Sequence, residues 1–566
     1  MLDSVWLLVL LGFAFWWTIV FMLDRAGVLK RFNTTSIGPL IMWRTYRGQK
    51  FLDMLASPKE FWKMLITACI PMVFFSMFLM LLMMVILDAA MIVNTPSPGP
   101  ANAPQNILAI PGVNQFIPFV WGWIALIVAM VVHEFGHAIS AKAENIKVKS
   151  LGLLLIPIPI GAFAEIDEEE MFGTKTEGGA AEILGPMDTK AAGAGGRKAT
   201  SMAQVRILSA GVISNFLIGI LAFALLFGPV LGAVAATNSE MIVVDVAPNT
   251  AASQAGIQKN MQIKTVDNIS VKTPDQFNAY LKSRQGSSVI IGGLQGDRPV
   301  SYTVQASALN GVYILGTLDS HPAAKAGIAP GMQLVSINST PIKDNNGYMT
   351  FMANTTPGQT VSVGLIAKNG TSLTVPVTLE SGTEPKGYMG FGGADLSDNS
   401  IGVIVGSFDA RNHLSNLQNI LSFQGDTLKD KLLNLIGGIL TILFLPIWEV
   451  TGGVYGFNVF QSDLTSLFHP VGWAAPLGNV IFYIILSLFW IGWLNIMVGL
   501  FNCMPMIPLD GGHIFREVTR MTVGKIVHDT AKVDHISRAI VNGFAITLFA
   551  SLVFVIVAPY IVHGIG

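Results

Sequence analysis

Two histidines and a glutamate at fixed spacing are the residues of this chain best suited to chemistry. His133-Glu134-Phe135-Gly136-His137 places the histidines four positions apart, so on a helix they share one face and can bind one metal ion. Glu134 lies beside them and could act as a general base. The pentad follows an uncharged apolar run that begins at Phe116. The pattern therefore predicts metal-assisted hydrolysis at membrane depth.

An alternative is that the two histidines are hydrogen-bonded between packed helices and bind nothing. This interpretation is weaker, because two imidazoles and a carboxylate are costly in an apolar environment unless a bound metal compensates for them. We therefore favour zinc.

The composition places the chain among membrane proteins. Of 566 residues, 52% are hydrophobic and 12% are charged, and the chain is too long for one core. The net charge of -1 argues against a nucleic-acid partner. Cys69 and Cys503 are the two cysteines, and both lie in apolar segments, so a disulfide framework is excluded.

Uncharged stretches predict several membrane crossings, and the run from Phe116 adds one more if it continues through the pentad. The other stretches are 5–23, 64–87, 207–236, 476–509 and 541–562. The first has neither a basic n-region nor a small-residue cleavage site, so we expect a retained helix. The segment 432–455 is apolar but interrupted by Gly437-Gly438, Pro446 and Glu449, and we expect it to be re-entrant or interfacial.

The distribution of basic residues predicts the orientation. Residues 24–63 are rich in Lys and Arg, whereas 88–115 contain neither, so the former should be cytoplasmic and the latter external. The pentad helix then ends near the cytoplasmic face, and residues from about 238 to 430 lie outside the cell membrane.

The polar middle of the chain contains an internal repeat. Ala255-Gly256-Ile257 with Met261-Gln262 recurs as Ala326-Gly327-Ile328 with Met332-Gln333, and each copy continues into a short apolar strand. The copies, 238–306 and 309–381, resemble PDZ domains, which capture peptide ends by adding a strand to a sheet edge. Here they could bind peptide ends, or serve as spacers or gates over the membrane site.

A catalytic zinc ion normally has three protein ligands beside its water, so the histidines need a partner. Asn502-Cys503-Met504-Pro505-Met506-Ile507-Pro508-Leu509-Asp510-Gly511-Gly512 supplies one in Asp510, predicted at the depth of His137. Together the two motifs resemble the site-2 protease family of intramembrane zinc metalloproteases. That family pairs a membrane His-Glu-x-x-His with a distant Asn-x-x-Pro-x-x-Pro-Leu-Asp-Gly. The resemblance implies that His133, His137 and Asp510 bind one zinc ion per chain and that Glu134 activates water.

Weaker matches to the same family suggest further site residues. Gly211-Val212-Ile213-Ser214-Asn215 resembles its Gly-x-x-x-Asn helix, where Asn215 would bind the substrate backbone or the oxyanion. The alternative is a small-residue helix contact with one buried amide. Residues 151–166 resemble its membrane-dipping β segment, which could align an extended substrate; the alternative is a loop on the soluble side. The expected substrate-binding residues are Asn502, Pro505, Pro508 and Gly161.

The sequence thus predicts a multi-pass α-helical membrane protein with an inserted extracytoplasmic pair of small β-rich, PDZ-like domains. Its predicted parts are two N-terminal transmembrane helices (1–115), the first half of the catalytic membrane core (116–236), the PDZ-like domains (238–306 and 309–381), a connector with the re-entrant or interfacial segment (382–475), and the second half of the core (476–566).

The expected function is that of an intramembrane zinc endopeptidase, whose partners are the lipid bilayer and transmembrane protein substrates cut within or near their membrane segments. The alternative is a catalytically silent membrane scaffold that holds clients through the PDZ-like repeats. The intact Glu134 and the complete ligand set argue against a scaffold, because a scaffold needs neither.

Overall fold

The chain forms two compact units, seen in a computed structural model that describes residues 2–32, 34–45, 49–96, 98–99, 102–106, 109–156, 158–167, 170–171, 199–318, 321–382, 386–397, 400–451 and 456–564. The first unit comprises 1–94, 108–224 and 487–558, and the second comprises 95–107, 225–486 and 559–566.

Helices make up most of the first unit, whereas in the second unit they alternate with strands along the chain. In chain order they are α1 Leu2–Arg25, α2 Val28–Arg31, α3 Gln49–Ala56, α4 Lys59–Val93, α5 Phe119–Ala143, α6 Ser201–Leu225, α7 Ala251–Ala255, α8 Pro274–Ser283, α9 Pro322–Lys325, α10 Asn345–Ala353, α11 Ala410–Gln418, α12 Leu428–Thr451, α13 Val480–Asn502, α14 Asp510–Val523 and α15 Thr530–His563.

Strands occur in both units. In chain order they are β1 Thr34–Ile37, β2 Leu40–Thr45, β3 Val148–Ile156, β4 Ile158–Ile166, β5 Val234–Ala236, β6 Glu240–Val246, β7 Gln262–Val266, β8 Ile269–Ser270, β9 Ser288–Gln295, β10 Arg298–Gln305, β11 Val312–Thr317, β12 Gln333–Ile337, β13 Thr340–Pro341, β14 Thr360–Ile366, β15 Ser372–Thr378, β16 Glu380–Ser381, β17 Gly387–Tyr388, β18 Phe391–Asp395, β19 Val403–Phe408 and β20 Phe468–Pro470.

Within the described ranges, six helical segments are long and apolar enough to cross a membrane. They are Lys59–Val93, Phe119–Ala143, Ser201–Ala233, Leu428–Val450, Val480–Asn502 and Thr530–His563. Five of them contain or overlap predicted stretches. The stretch 5–23 lies in helix α1, which is not one of the six. Large apolar side chains such as Phe75, Phe78 and Ile86 of α4 are exposed, as expected of a surface that faces lipid.

The residues that interrupt the apolar segment 432–455 in the sequence do not interrupt its helix where the structure describes it. Helix α12 runs unbroken from Leu428 to Thr451, and residues 452–455 lie outside the described residues. Gly438 packs against the backbone carbonyl of Ile420, where a Cβ would collide. The glycine therefore permits a close approach and does not end the helix.

Glu449, near the end of this helix, has hydrogen-bond partners close by in the chain. The Glu449 carboxylate accepts hydrogen bonds from the backbone N–H of Asn458 at 3.2 Å and from its side-chain amide at 2.5 Å. A buried carboxylate with such donors does not force the helix to stop.

The first unit contains a four-stranded antiparallel sheet in the order β1-β2-β3-β4. Strands β3 and β4 are the segment 151–166 identified in the sequence, although Pro157 lies outside the described residues. Strand β2 pairs with β3, so that Trp43 lies opposite Leu153. The N-terminal region thus contributes half of a sheet that its sequence did not predict.

Small residues bring the central helices of the first unit together. Helix α5 buries Gly122, Ala125, Ala129, Gly136 and Ser140, which recur at helical spacing and let backbones approach closely. A Cβ on Gly136 would collide with the backbone of α6 at Ala210. This packing fixes α5, which carries the His-Glu pentad, against α6.

The second unit contains two six-stranded sheets with the same strand order. One has the order β10-β9-β7-β6-β19 with β8 beside β7, and the other has β15-β14-β12-β11-β18 with β13 beside β12. The N-caps of helices α8 and α10 also correspond, since Thr273 and Asp344 each accept a backbone N–H three residues later. The sequence repeat therefore has a structural counterpart.

The predicted ends of the two repeats need correction. Strand β19 completes the first sheet by pairing with β6, and it lies far beyond 306. Strand β18 pairs with β11 and lies beyond 381. These strands were missed because they have no counterpart in the repeated motif and reach their partners only through the fold. Part of the predicted connector therefore belongs to the sheets.

Candidate active site

Three side chains that were predicted to bind a metal meet in the first unit. The Nε2 atoms of His133 and His137 lie 3.0 and 3.3 Å from Oδ2 of Asp510, and 3.1 Å from each other. Ligand atoms about 2.0–2.2 Å from zinc at tetrahedral angles are about 3.3 Å apart. The three donors thus have the separations of a zinc ligand set.

The hydrogen bonding of His137 supports the same conclusion. Its Nδ1 lies 2.8 Å from the carbonyl oxygen of Ile207, which can only accept, so Nδ1 carries the proton and Nε2 presents a lone pair. That lone pair points at the Asp510 carboxylate, whose side chain is only 16% exposed. Nε2 of His137 and Oδ2 of Asp510 are thus both free to bind one shared metal ion, which would satisfy two largely buried polar atoms at once.

The position of Asp510 depends on the glycines that follow it. Asp510 is the first residue of α14, and a Cβ on Gly511 or Gly512 would collide with the backbone of 503–507. Only glycine lets the helix start this close to the preceding loop.

Glu134 follows His133 on α5 and is tied to the sheet. Its Oε2 accepts the backbone N–H of Ala164 at 2.7 Å. Strand β4, which carries Ala164, is an edge strand, so this N–H is available to a side chain. The carboxylate is thereby fixed beside the metal ligands with its second oxygen free of this bond.

Gly211 and Asn215 lie one helical turn apart on α6. A Cβ on Gly211 would collide with the imidazoles of His133 and His137, so this glycine leaves room for the metal ligands. Asn215, which shares that helix face, is completely buried. Its amide oxygen and nitrogen have no hydrogen-bond partner among the described residues, which is unusual for a buried amide.

The predicted substrate-binding residues lie on different elements. Asn502 ends α13 and is partly exposed, Pro505 is buried, and Pro508 is exposed in the loop before α14. Gly161 lies on β4 opposite Leu154. The described groups that could hold a metal are His133, His137 and Asp510.

Sequence reasoning missed the groups that orient these side chains. The carbonyl of Ile207 and the N–H of Ala164 are backbone groups, and residue type carries no signal for them. The requirement at Gly211 is visible only once α6 packs on α5.

The sequence profile of peptidase family M50 matches residues 121–548, which is most of the chain. The chain belongs to peptidase family M50, the family of the site-2 proteases.

This M50 peptidase is 24% identical over 457 residues to the protease RseP of Yersinia pestis, covering 72% of this chain and 92% of RseP. It is 33% identical over 172 residues to an uncharacterized protein of Methanocaldococcus jannaschii, covering 30% of this chain and 44% of that protein. A Clostridium perfringens protein named as a zinc metalloprotease is 26% identical over 218 residues, covering 38% of this chain and 62% of that protein.

The M50 peptidase is therefore an intramembrane metalloprotease. It is a multi-pass membrane protein with a β-rich insert. Zinc is its metal, and the cluster of His133, His137 and Asp510 fits a zinc site. The expected enzyme class and cofactor are confirmed, and the silent scaffold is disfavoured.

Proposed function

We propose that this M50 peptidase cuts peptide bonds within or near the transmembrane segments of single-span membrane proteins, with Glu134 as the general base. The observation that carries the proposal is the convergence of three metal-binding atoms within 3.3 Å of one another, on helices that adjoin Glu134. A scaffold would not need an oriented carboxylate beside such a cluster.

His133, His137 and Asp510 would hold the zinc, which when bound supplies a Lewis acid and lowers the pKa of water. Glu134 takes the proton from the attacking water and passes it to the leaving amine. Its hydrogen bond from Ala164 occupies one oxygen and leaves the other for the proton. The sheet thus orients the base without neutralising it.

Substrate binding involves α6 and β4 in this proposal. The amide of Asn215, which has no hydrogen-bond partner within the described ranges, would donate to the oxyanion or bind the substrate backbone. Because β4 is an edge strand, an unwound substrate segment could pair along it, near Gly161. Asn502, Pro505 and Pro508 would shape the other side of the path.

The function is tested by placing the purified protein and a single-span substrate in the same lipid vesicles. A fragment should appear with the zinc-loaded protein, disappear on chelation, and return with added zinc. Cleavage that survives complete chelation would contradict a zinc mechanism.

We further propose that the pentad helix ends toward the cytoplasm and that the β-rich insert is extracytoplasmic. The support is the concentration of basic residues in 24–63. Helix α12 would lie along the membrane surface and not cross it. Gln418, before this helix, donates to the carbonyl of Leu231 at 2.9 Å, and β20, after it, pairs with β5 at Val234–Ala236. Both flanks therefore meet the end of the same span.

Cysteine labelling in intact cells tests this orientation. Cysteines introduced at the exposed positions Ser301 and Asn354 should react with a membrane-impermeant reagent, whereas one at Arg31 should react only after permeabilisation. The unmodified chain gives the background, since Cys69 is partly buried and Cys503 is buried. Labelling of Arg31→Cys alone would invert the orientation.

The two sheets of the insert are proposed to be PDZ-like domains that control access to the active site, with capture of peptide ends as the alternative. They behave as one module: Tyr313 packs with Ala247 and Leu396 between the sheets, and its hydroxyl donates to Asp245 at 3.0 Å. Gln262 of the first sheet also donates to Ser466 at 2.8 Å. Two sheets held to each other and to the segment around Ser466 form one body, which suits a gate.

Deleting the module separates these roles. Glu240 and Phe408 are cross-strand partners, so their Cα atoms are about 5 Å apart, and residues 241–407 can be replaced by a short Gly-Ser linker. The deletion variant should bind zinc and cut a short transmembrane peptide, and should also cut substrates with bulky external domains that the intact protein excludes. If it binds zinc but cuts nothing, the insert presents substrate and the gate proposal fails.

A further inference from the structure

Two side chains of the N-terminal strand β2 lie on the same sheet face as residues of β4, the strand whose backbone binds Glu134 of α5. Cross-strand partners point to one face, and the register aligns Trp43 with Leu153 and Ala162. The next row on that face aligns Thr45 with Leu151 and Ala164. The N–H of Ala164 in β4 binds Glu134, and β4 is the second strand from β2 in this sheet. A continuous sheet face therefore connects Trp43 and Thr45 to the strand beside the general base.

A cavity of about 290 Å³ lies between this sheet face and α5. One wall carries Trp43, Thr45 and Phe51 from the N-terminal region. The opposite wall carries Val131, Glu134 and Phe135 of α5. Among the described residues that line the cavity, Glu134 carries the one ionisable group, and the remainder is almost entirely apolar. The cavity therefore opens next to the proposed base and offers almost nothing to a charged group.

We propose that this cavity is a specificity pocket for one large apolar side chain of the substrate next to the scissile bond, and that Trp43 sets its size. The proposal rests on the function proposed above. Trp43 is 50% exposed, so its indole forms a wall that a substrate side chain can contact.

The occupant follows from the chemistry of the lining. Among the described lining residues, a charged or strongly polar side chain would find only Glu134 and the Thr45 hydroxyl as partners, so its desolvation would be costly. An apolar side chain gains little by leaving lipid, because lipid tails are equally apolar, so the pocket selects by shape and packing. A single methylene in such a pocket is worth about 10–200-fold in specificity.

Contacts on the other face hold the Trp43 wall in place. Arg44 lies 3.7 Å from Glu165 of β4 and donates to the hydroxyl of Thr35 in β1 at 2.7 Å. The indole of Trp16 in α1 donates to the carbonyl of Pro39 in the β1–β2 turn at 2.8 Å. The family profile begins only at 121, so this wall comes from residues outside the matched core.

The test uses a series of single-span substrates in vesicles, in which each residue flanking the mapped cut is Phe or Ala in turn. The wild-type protein should prefer Phe over Ala at one position by about tenfold or more in kcat/KM. Trp43→Ala should reduce that preference to about twofold or less, because the pocket then no longer fits. Thr45→Trp should fill the pocket and slow the Phe substrate most.

The matched control is Trp17→Ala, which removes an equally exposed tryptophan, at 48%, from α1 outside the cavity. It should keep the wild-type preference. Zinc content is measured for every variant, so that a folding defect is distinguished from a changed pocket. If wild-type protein cuts the series but neither Trp43→Ala nor Thr45→Trp alters the preference at any position, the pocket is not a specificity site. If zinc-loaded wild-type protein cuts none of the substrates, the proposed function itself fails.

Discussion

Glu134→Gln should reduce cleavage of a reconstituted transmembrane substrate by about 10²–10⁴-fold, while about one zinc ion per chain is retained. The amide oxygen of glutamine can still accept the N–H of Ala164, which lies 2.7 Å from the native carboxylate. The geometry should therefore persist, but an amide cannot take a proton from water. Cleavage rate and zinc content are measured on the same preparation.

A suitable control for this variant is Glu60→Gln. The Glu60 side chain is 88% exposed on α4, so its replacement should leave both cleavage and zinc content unchanged. Turnover by Glu134→Gln close to that of the control would remove Glu134 from its proposed role.

Asp510→Ala should lose both zinc and activity. The change removes one of three converging donors, and two imidazoles alone make a much weaker site. The helix start should survive, because it depends on the close packing of Gly511 and Gly512 against 503–507. Loss of metal should therefore occur in a folded protein, which zinc analysis and thermal unfolding can show together.

Asp510→Asn refines the same experiment. The asparagine keeps the volume of the aspartate but lacks its charge, so zinc affinity should fall without a cavity being created. Full zinc occupancy in Asp510→Ala would mean that the third ligand is elsewhere, and the geometry around Asp510 would need another explanation.

The chemistry of the site could be predicted from sequence because it resides in side chains of rare type at informative spacing. His133 and His137 share a helix face by their separation alone, and Asp510 stands in a motif of several fixed residue types, from Asn502 to Gly512. The structure brings these three atoms together. The repeated strands β7 and β12 were likewise visible because their sequences match.

Other parts of the fold depend on partners that are distant in sequence. Strands β1 and β2 are short, and the partner of β2 is β3, more than a hundred residues later; no local pattern encodes that pairing. The whole second sheet lies between β6 and β19 in the chain, although these two strands pair with each other. Tertiary pairing of this kind overrides local propensity.

Glycine was the most ambiguous signal. Gly437-Gly438 interrupts the apolar run of α12 and was one reason to expect a re-entrant or interfacial segment, yet Gly438 makes a close contact with Ile420 inside a continuous helix. Gly211 was noted only as part of a motif, yet it leaves room for two imidazoles. Glycine can mark either backbone freedom or close approach, and only packing distinguishes the two.

The most direct test of an intramembrane zinc protease is the position of the cut. Vesicles containing the purified protein and a single-span substrate are incubated, and the new termini are identified by mass spectrometry. We expect termini within or at the edge of the membrane segment, formed by the wild-type protein and absent with Glu134→Gln. Termini confined to soluble loops far from the bilayer, or identical products from Glu134→Gln, would contradict the account.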